Sequence, residues 1–154
     1  MANHPSPTDP ASDLEIVSVR GFAAPREKVF GAFADSSQVA QWWGPDGFTN
    51  KIHEFDLRPG GTWRLTMNAP NGAEFHNLSR FLTVEAPARV VFQHEEPVHS
   101  FQMTMTFAAA GAGTQLTWRM RFASADEFAR VRDFIVVANE QNFDRLAALL
   151  AKKL

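Results

Sequence analysis

Residues 48–122 place large apolar side chains at every second position, and residues 124–154 place them at every third or fourth. This change of period constrains the fold more than any other feature of the chain. Trp63, Leu65 and Met67 alternate with Arg64, Thr66 and Asn68. Phe101, Met103, Met105 and Phe107 alternate with Gln102, Thr104 and Thr106, and Leu116, Trp118, Met120 and Phe122 with Thr117, Arg119 and Arg121. Each is the pattern of a strand with one buried and one wetted face. Breaks at Pro59-Gly60-Gly61, Pro70-Asn71-Gly72, Pro87, Pro97 and Gly111-Ala112-Gly113 divide the stretch into about six strands, joined mostly by short hairpins. Ser124 and Glu127 then form a capping-box pattern. Phe128, Val131, Ile135, Ala138, Leu146 and Leu149 follow at helical spacing, predicting one amphipathic helix of roughly 28 residues and 40 Å.

Upstream, Leu14 to Phe22 reads as a first strand. Pro25 opens a short helix from Ala24 to Phe33, with Val29, Phe30 and Phe33 on one face, and Asp35-Ser36-Ser37 caps a second that ends near Gly44-Pro45. An α+β architecture satisfies every apolar stripe: a curved antiparallel sheet of about seven strands, a long C-terminal helix in its concave face, and two short helices after strand one.

The 154 residues fit one domain, read as residues 14–154 behind a disordered polar tail at 1–13. That tail lacks the basic start and apolar core of a signal peptide, and no apolar run is long enough to span a bilayer, so a cytoplasmic location without membrane insertion is expected. Fifteen basic and seventeen acidic residues leave a net charge of −2, which argues against nucleic acid as a partner. Cys is absent, removing disulfides, thiol catalysis and Cys-type metal sites. Tyr is absent while Phe occurs 14 times, so the aromatic surface is almost purely apolar.

Phosphate-loop, dinucleotide and serine-hydrolase signatures fail on inspection. Asp56 to Gly61 lacks the Gly-Lys-Ser/Thr ending and a following helix, Gly111 and Gly113 sit between two strands, and no Gly-x-Ser-x-Gly elbow occurs. His94-Glu95-Glu96-Pro97-Val98-His99 has metal-ligand residue types, but Pro97 forbids the helix that would align both histidines; it reads as a polar hairpin loop, with a weak surface cation site as the alternative. No metal or cofactor is expected.

The candidate site residues are those an incompletely filled helix–sheet interface would expose. Asn142 falls in the middle of the long helix's apolar stripe and Asn139 at its edge. A buried amide without partners costs about 1–3 kcal/mol, so each either orients a ligand in a cavity or bonds the sheet or a terminal loop. His53 faces inward if Phe55 does, as a core histidine or as a contact to a ligand oxygen or an acid/base group. Trp63, Phe101, Met103, Met105 and Trp118 supply apolar wall, Met being adaptable to ligand shape. Trp42-Trp43 reads as a structural plug turned by Gly44-Pro45, with an aromatic pocket rim as the alternative. His76 and Arg80 share a strand face with Leu78 and Leu82, inner or outer.

Ala24-Pro25-Arg26-Glu27-Lys28-Val29-Phe30 resembles the Ala-Pro-x-x-x-Val-aromatic opening of the START-like, or helix-grip, superfamily (SRPBCC). Gln41-Trp42-Trp43-Gly44-Pro45-Asp46-Gly47-Phe48, Phe55-Asp56-Leu57-Arg58-Pro59-Gly60-Gly61 and the closing Phe143 to Leu150 resemble one branch, named after the C-terminal domain of the activator of heat-shock protein 90 ATPase. The resemblance spans about residues 14–154 and implies the helix-grip fold. It implies little about chemistry, since this superfamily carries ligand binders, cyclases, hydroxylase domains and co-chaperones. Many small members have a Gly-Trp pair before the closing Leu-Asp-Arg-Leu; here those positions read Gln141-Asn142-Phe143. The eukaryotic co-chaperone's separate N-terminal domain has no counterpart in residues 1–13. The expected function is a module binding a small apolar or aromatic molecule between sheet and helix. A polyketide cyclase, aromatase or dehydratase using the same cavity is the alternative, and a co-chaperone the second. A homodimer through an open sheet edge is compatible with the pattern.

Overall fold

The computed structural model describes residues 14–96 and 100–152. The tail at 1–13 and the Pro97–His99 part of the hairpin loop expected above lie outside these residues. The order is β1 (Glu15–Phe22), α1 (Arg26–Ala34), α2 (Ser36–Trp42), six strands β2 (Thr49–Phe55), β3 (Thr62–Asn68), β4 (Glu74–Glu85), β5 (Arg89–Glu96), β6 (Phe101–Ala110) and β7 (Gly113–Phe122), then α3 (Ala125–Lys152). The strands form one antiparallel sheet in the order β1-β7-β6-β5-β4-β3-β2, so β1 crosses over to pair with β7 while the rest is a meander. This is the helix-grip fold: the sheet curves around α3, and both short helices close the ends of the concave side.

Alternation explains which face is buried. Met103, Met105 and Phe107 on β6, and Leu116, Trp118 and Met120 on β7, are almost wholly buried, and all belong to one core shared with α1, α2 and α3. Phe30 of α1 packs on Phe107 with ring centroids 5.0 Å apart, and Phe143 of α3 packs on Trp118 at 4.7 Å. Edge-to-face and tilted pairs of this kind add about 0.5–1.5 kcal/mol each beyond burial.

Polar contacts fix how α3 lies. Ser124 Oγ accepts from Glu127 N–H at 3.2 Å, which is the serine half of the expected capping box. The Glu127 carboxylate accepts from Ser100 N–H at 3.3 Å, tying the helix start to the β5–β6 connection. Further along, Arg20 of β1 reaches Glu140 at 2.9 Å and Asp144 at 3.0 Å, and its guanidinium lies over the Phe143 ring at 5.5 Å. Hydrogen bonding to Glu140 raises the Arg20 pKa above its ordinary value, against a smaller opposing effect of burial.

Candidate functional site

Helix α3 does not touch the sheet along its whole length, and the gap is a cavity of about 340 Å³. Its floor is the inner face of β3 to β7, including Trp63, Phe92, Met103, Trp118 and Met120. Its roof is α3, through Val131, Ile135, Ala138, Asn139 and Asn142. The loop after α2 forms a lip from Trp43, Gly44, Pro45 and Phe48. Phe134 lines the cavity yet is 65% exposed, so it marks the mouth on the α3 side.

The lip is held by two residues of α3. Asn142 is buried; its Nδ2 donates to Trp42 O at 2.8 Å, and its Oδ1 accepts from Gly44 N–H at 3.1 Å. Arg145 donates to Trp43 O, Gly44 O and Pro45 O through one terminal nitrogen, at 3.2, 3.0 and 2.9 Å. Its other terminal nitrogen reaches Gln41 O and Phe48 O, both at 3.0 Å. One guanidinium thus collects four carbonyls of a loop that has no ladder of its own and one from the last turn of α2. Burial lowers the Arg145 pKa from its ordinary value, partly countered by Asp46. The lip turns at Gly44, whose φ of +101° favours glycine and whose missing Cβ would stand 2.8 Å from Met67 Cε.

Six of the eight expected site residues meet at this cavity: Asn139, Asn142, Trp63, Phe101, Met103 and Trp118. Asn142 lines the cavity while its amide bonds the lip. Asn139 likewise lines the cavity and donates to Ser18 Oγ at 3.1 Å and to Met120 Sδ at 3.5 Å. The Trp42-Trp43 alternatives divide between the two rings. Trp42 is the plug, buried with its Nε1 donating to Ala32 O at 3.0 Å, whereas Trp43 lines the lip.

Two expected residues lie elsewhere. Met105 is buried but outside the cavity wall, because β6 beyond Met103 is covered by α1 through the Phe30–Phe107 contact. His53 is exposed on the outer face, against the inward direction expected from Phe55. The cause is a β-bulge: Ile52 pairs with Leu65 and Glu54 with Arg64, which leaves His53 as an extra residue and resets the alternation. Its Nε2 instead meets Thr66 Oγ1 at 2.8 Å, and Thr66 in turn meets His76 Nδ1 at 3.1 Å. His76 and Arg80 are exposed on this outer face as well.

Sequence reasoning missed Arg145, and it misplaced His94. It is not in a loop but on β5, buried, on the cavity wall, and stacked on Phe101 with centroids 4.7 Å apart at 20°. Its Nδ1 lies 3.3 Å from Ser79 Oγ, also buried and also on the wall. The available signal was parity, since Val90, Phe92 and His94 share one strand face. Among the described residues no group of three or more His, Asp or Glu could hold a metal ion, and no helix is long and apolar enough to cross a membrane.

Comparison with known proteins places this architecture. A protein from Nitrosomonas europaea is 20% identical with a TM-score of 0.84, over 97% of this chain and all of that one. A protein from Chromobacterium violaceum is 26% identical with a TM-score of 0.80, over 88% of this chain and 96% of the other. The AHSA1 protein from Silicibacter pomeroyi is 21% identical with a TM-score of 0.76, over 91% and 99%. No curated protein matches the chain. The model of one family, described as activator of Hsp90 ATPase homolog 1-like protein, matches residues 23–151, a span from the Ala-Pro opening through the lip, strands β2 to β7 and nearly all of α3. The chain belongs to that family, in the START-like (SRPBCC) superfamily.

Proposed function

We propose that the protein is a binding module for a small apolar or aromatic molecule, held between the sheet and α3. The observation that carries this reading is the cavity, about 340 Å³ of space walled mainly by aromatic and Met side chains. It lies within the ~300–1,000 Å³ range of small-molecule pockets and is about twice the ~150 Å³ void that admits one benzene. A ligand of about two rings fits that space. Members of this fold family commonly bind hydrophobic ligands.

The test is a thermal-shift panel of two-ring aromatics, flavonoids, aromatic polyketides, fatty acids and sterols. A ligand at about 100 times its Kd adds roughly 2.7 kcal/mol, a Tm rise of about 5–11 °C for a chain of this size. Ala138→Trp fills the cavity from α3 without disturbing the lip contacts, and should abolish the rise while the variant stays folded. A flat panel with folded protein, or a rise that Ala138→Trp leaves intact, overturns the reading.

A further inference from the structure

The sheet has two edges, β1 and β2, and they are finished differently. A free edge presents unpaired N–H and C=O groups, and proteins blunt it with a bulge, a Lys or Pro, or a covering element. β2 has three of these: a bulge at His53, an exposed Lys51, and α2 alongside, where Ala40 O accepts from Asn50 Nδ2 at 3.1 Å. β1 has none. Its eight residues include no Lys or Pro and pair with β7 from Glu15 to Phe22 without a register shift. Among the described residues, no backbone–backbone hydrogen bond outside that ladder involves them. In an antiparallel ladder alternate residues direct N–H and C=O away from the partner, so half of the β1 backbone faces outward.

Charge does not guard this edge either. Glu15 is turned onto β7, where Arg119 and Arg121 meet its carboxylate at 3.0 and 3.6 Å. Arg20 is turned onto α3, where Glu140 and Asp144 meet it at 2.9 and 3.0 Å. What β1 leaves exposed is apolar, Val17 at 47% and Val19 at 46%. Val136 of α3 is a third exposed apolar side chain on this side, one turn before the Glu140 that Arg20 holds.

The strand is also complementary to itself. Opposed residues of an antiparallel pair share a face, so two copies of β1 related by a two-fold axis align near its middle about Val17, Ser18 or Val19. Alignment about Val17 sets Glu15 opposite Val19 of the second copy. Alignment about Val19 sets Val17 opposite Gly21, and Ser18 opposite Arg20. With Ser18 on the axis, Val17 lies opposite Val19 twice, and Glu15 lies opposite Gly21.

We propose that a second copy of this chain occupies the β1 edge, the two pairing antiparallel about Ser18 in one sheet continuous across both. The valines form a cross-strand ladder on the outer face, and Val136 lies beside the seam. A strand pair is a small interface, so the dimer is reversible, with a Kd of about 10–100 µM. The pairing is independent of what the cavity holds.

Sedimentation velocity over about 5–500 µM should show the unaltered protein passing from monomer to dimer. Val17→Glu with Val19→Glu sets like charges opposite each other and should leave the protein monomeric throughout. Val17→Glu with Val19→Lys sets opposite charges there and should keep the dimer. Both are compatible with β7, which presents Arg119 and Thr117 to these positions. The chain has no Cys, so single cysteine variants report the register. Opposed Cα atoms of a ladder stand about 4.5–5.5 Å apart, within disulfide reach, whereas positions two residues out of register stand beyond about 7 Å. A mixture of Val17→Cys and Val19→Cys proteins should therefore cross-link at least about tenfold faster than either alone. A monomer at every concentration, which leaves the edge to a strand of another protein, overturns the proposal. So does a dimer that survives Val17→Glu with Val19→Glu, a dimer lost equally in both charge variants, or cross-linking no faster in the mixture.

Discussion

At the scale of single residues, the amides and guanidinium of α3 do structural work at the edge of a cavity. Replacing Asn142 by Leu removes both lip bonds and leaves Trp42 O and Gly44 N–H without a protein partner in a buried setting. The expected loss is roughly 2–4 kcal/mol, measured by urea unfolding. Gln141 is a control from the same turn, because its Oε1 accepts from Asp46 N–H at 3.1 Å in an exposed position where water can replace it. Gln141→Ala should stay within about 0.5 kcal/mol. Part of this was legible in the sequence. The position of Asn142 in an apolar stripe announces a satisfied polar group, but not its partner, because the partners are backbone atoms about 100 residues away. Arg145 drew no attention for the same reason: nothing local marks a side chain that will collect the carbonyls of a distant loop.

At the scale of elements, the change of period gave strand count, helix length and order, since each element follows from its own alternation. It failed where one residue resets that alternation. The bulge at His53 turned a correct inference from Phe55 into a wrong direction for His53. A second error came from punctuation: Pro97 drew the hairpin loop back to His94, whereas β5 runs through Glu96. Helix α2 offers a test at this scale. Asp35 caps it, accepting from Ser37 N–H at 2.9 Å, Ser37 Oγ–H at 2.7 Å and Gln38 Nε2 at 3.2 Å. These bonds, that from the Ser37 side chain foremost, lower its pKa below the ordinary carboxylate value. A folded value below the unfolded one means the cap's contribution is fully present above the unfolded pKa of about 3.9 and is lost as pH falls through the folded value. The Tm difference between the unaltered protein and Asp35→Ala should therefore be constant from about pH 5 to 8 and shrink below about pH 4. A difference independent of pH would refute the ionic cap.

At the scale of the whole molecule, α3 is held unevenly. Arg20, Ser18 and the lip all engage it between Asn139 and Arg145, and all its buried side chains except Ile135 lie from Asn139 onward. Its first half roofs the cavity and rests mainly on Ser124, Glu127, Ile135 and the Phe122–Phe128 contact. Amide exchange should be at least about tenfold faster in residues 127–134 than in 140–150, and a bound two-ring ligand should slow the first segment more than the second. Uniform exchange along α3 would refute this division. The division has a consequence for how such a protein can change. The groups that bond the helix and lip in place are Arg20, Asn139, Asn142 and Arg145, while the β4–β5 floor supplies Ser79 and His94, which meet each other and, through His94, the Phe101 ring. On the binding reading proposed above, substitutions in that floor redraw ligand preference with the helix seat intact, which makes it the natural region to randomise when building a panel of biosensors from one backbone.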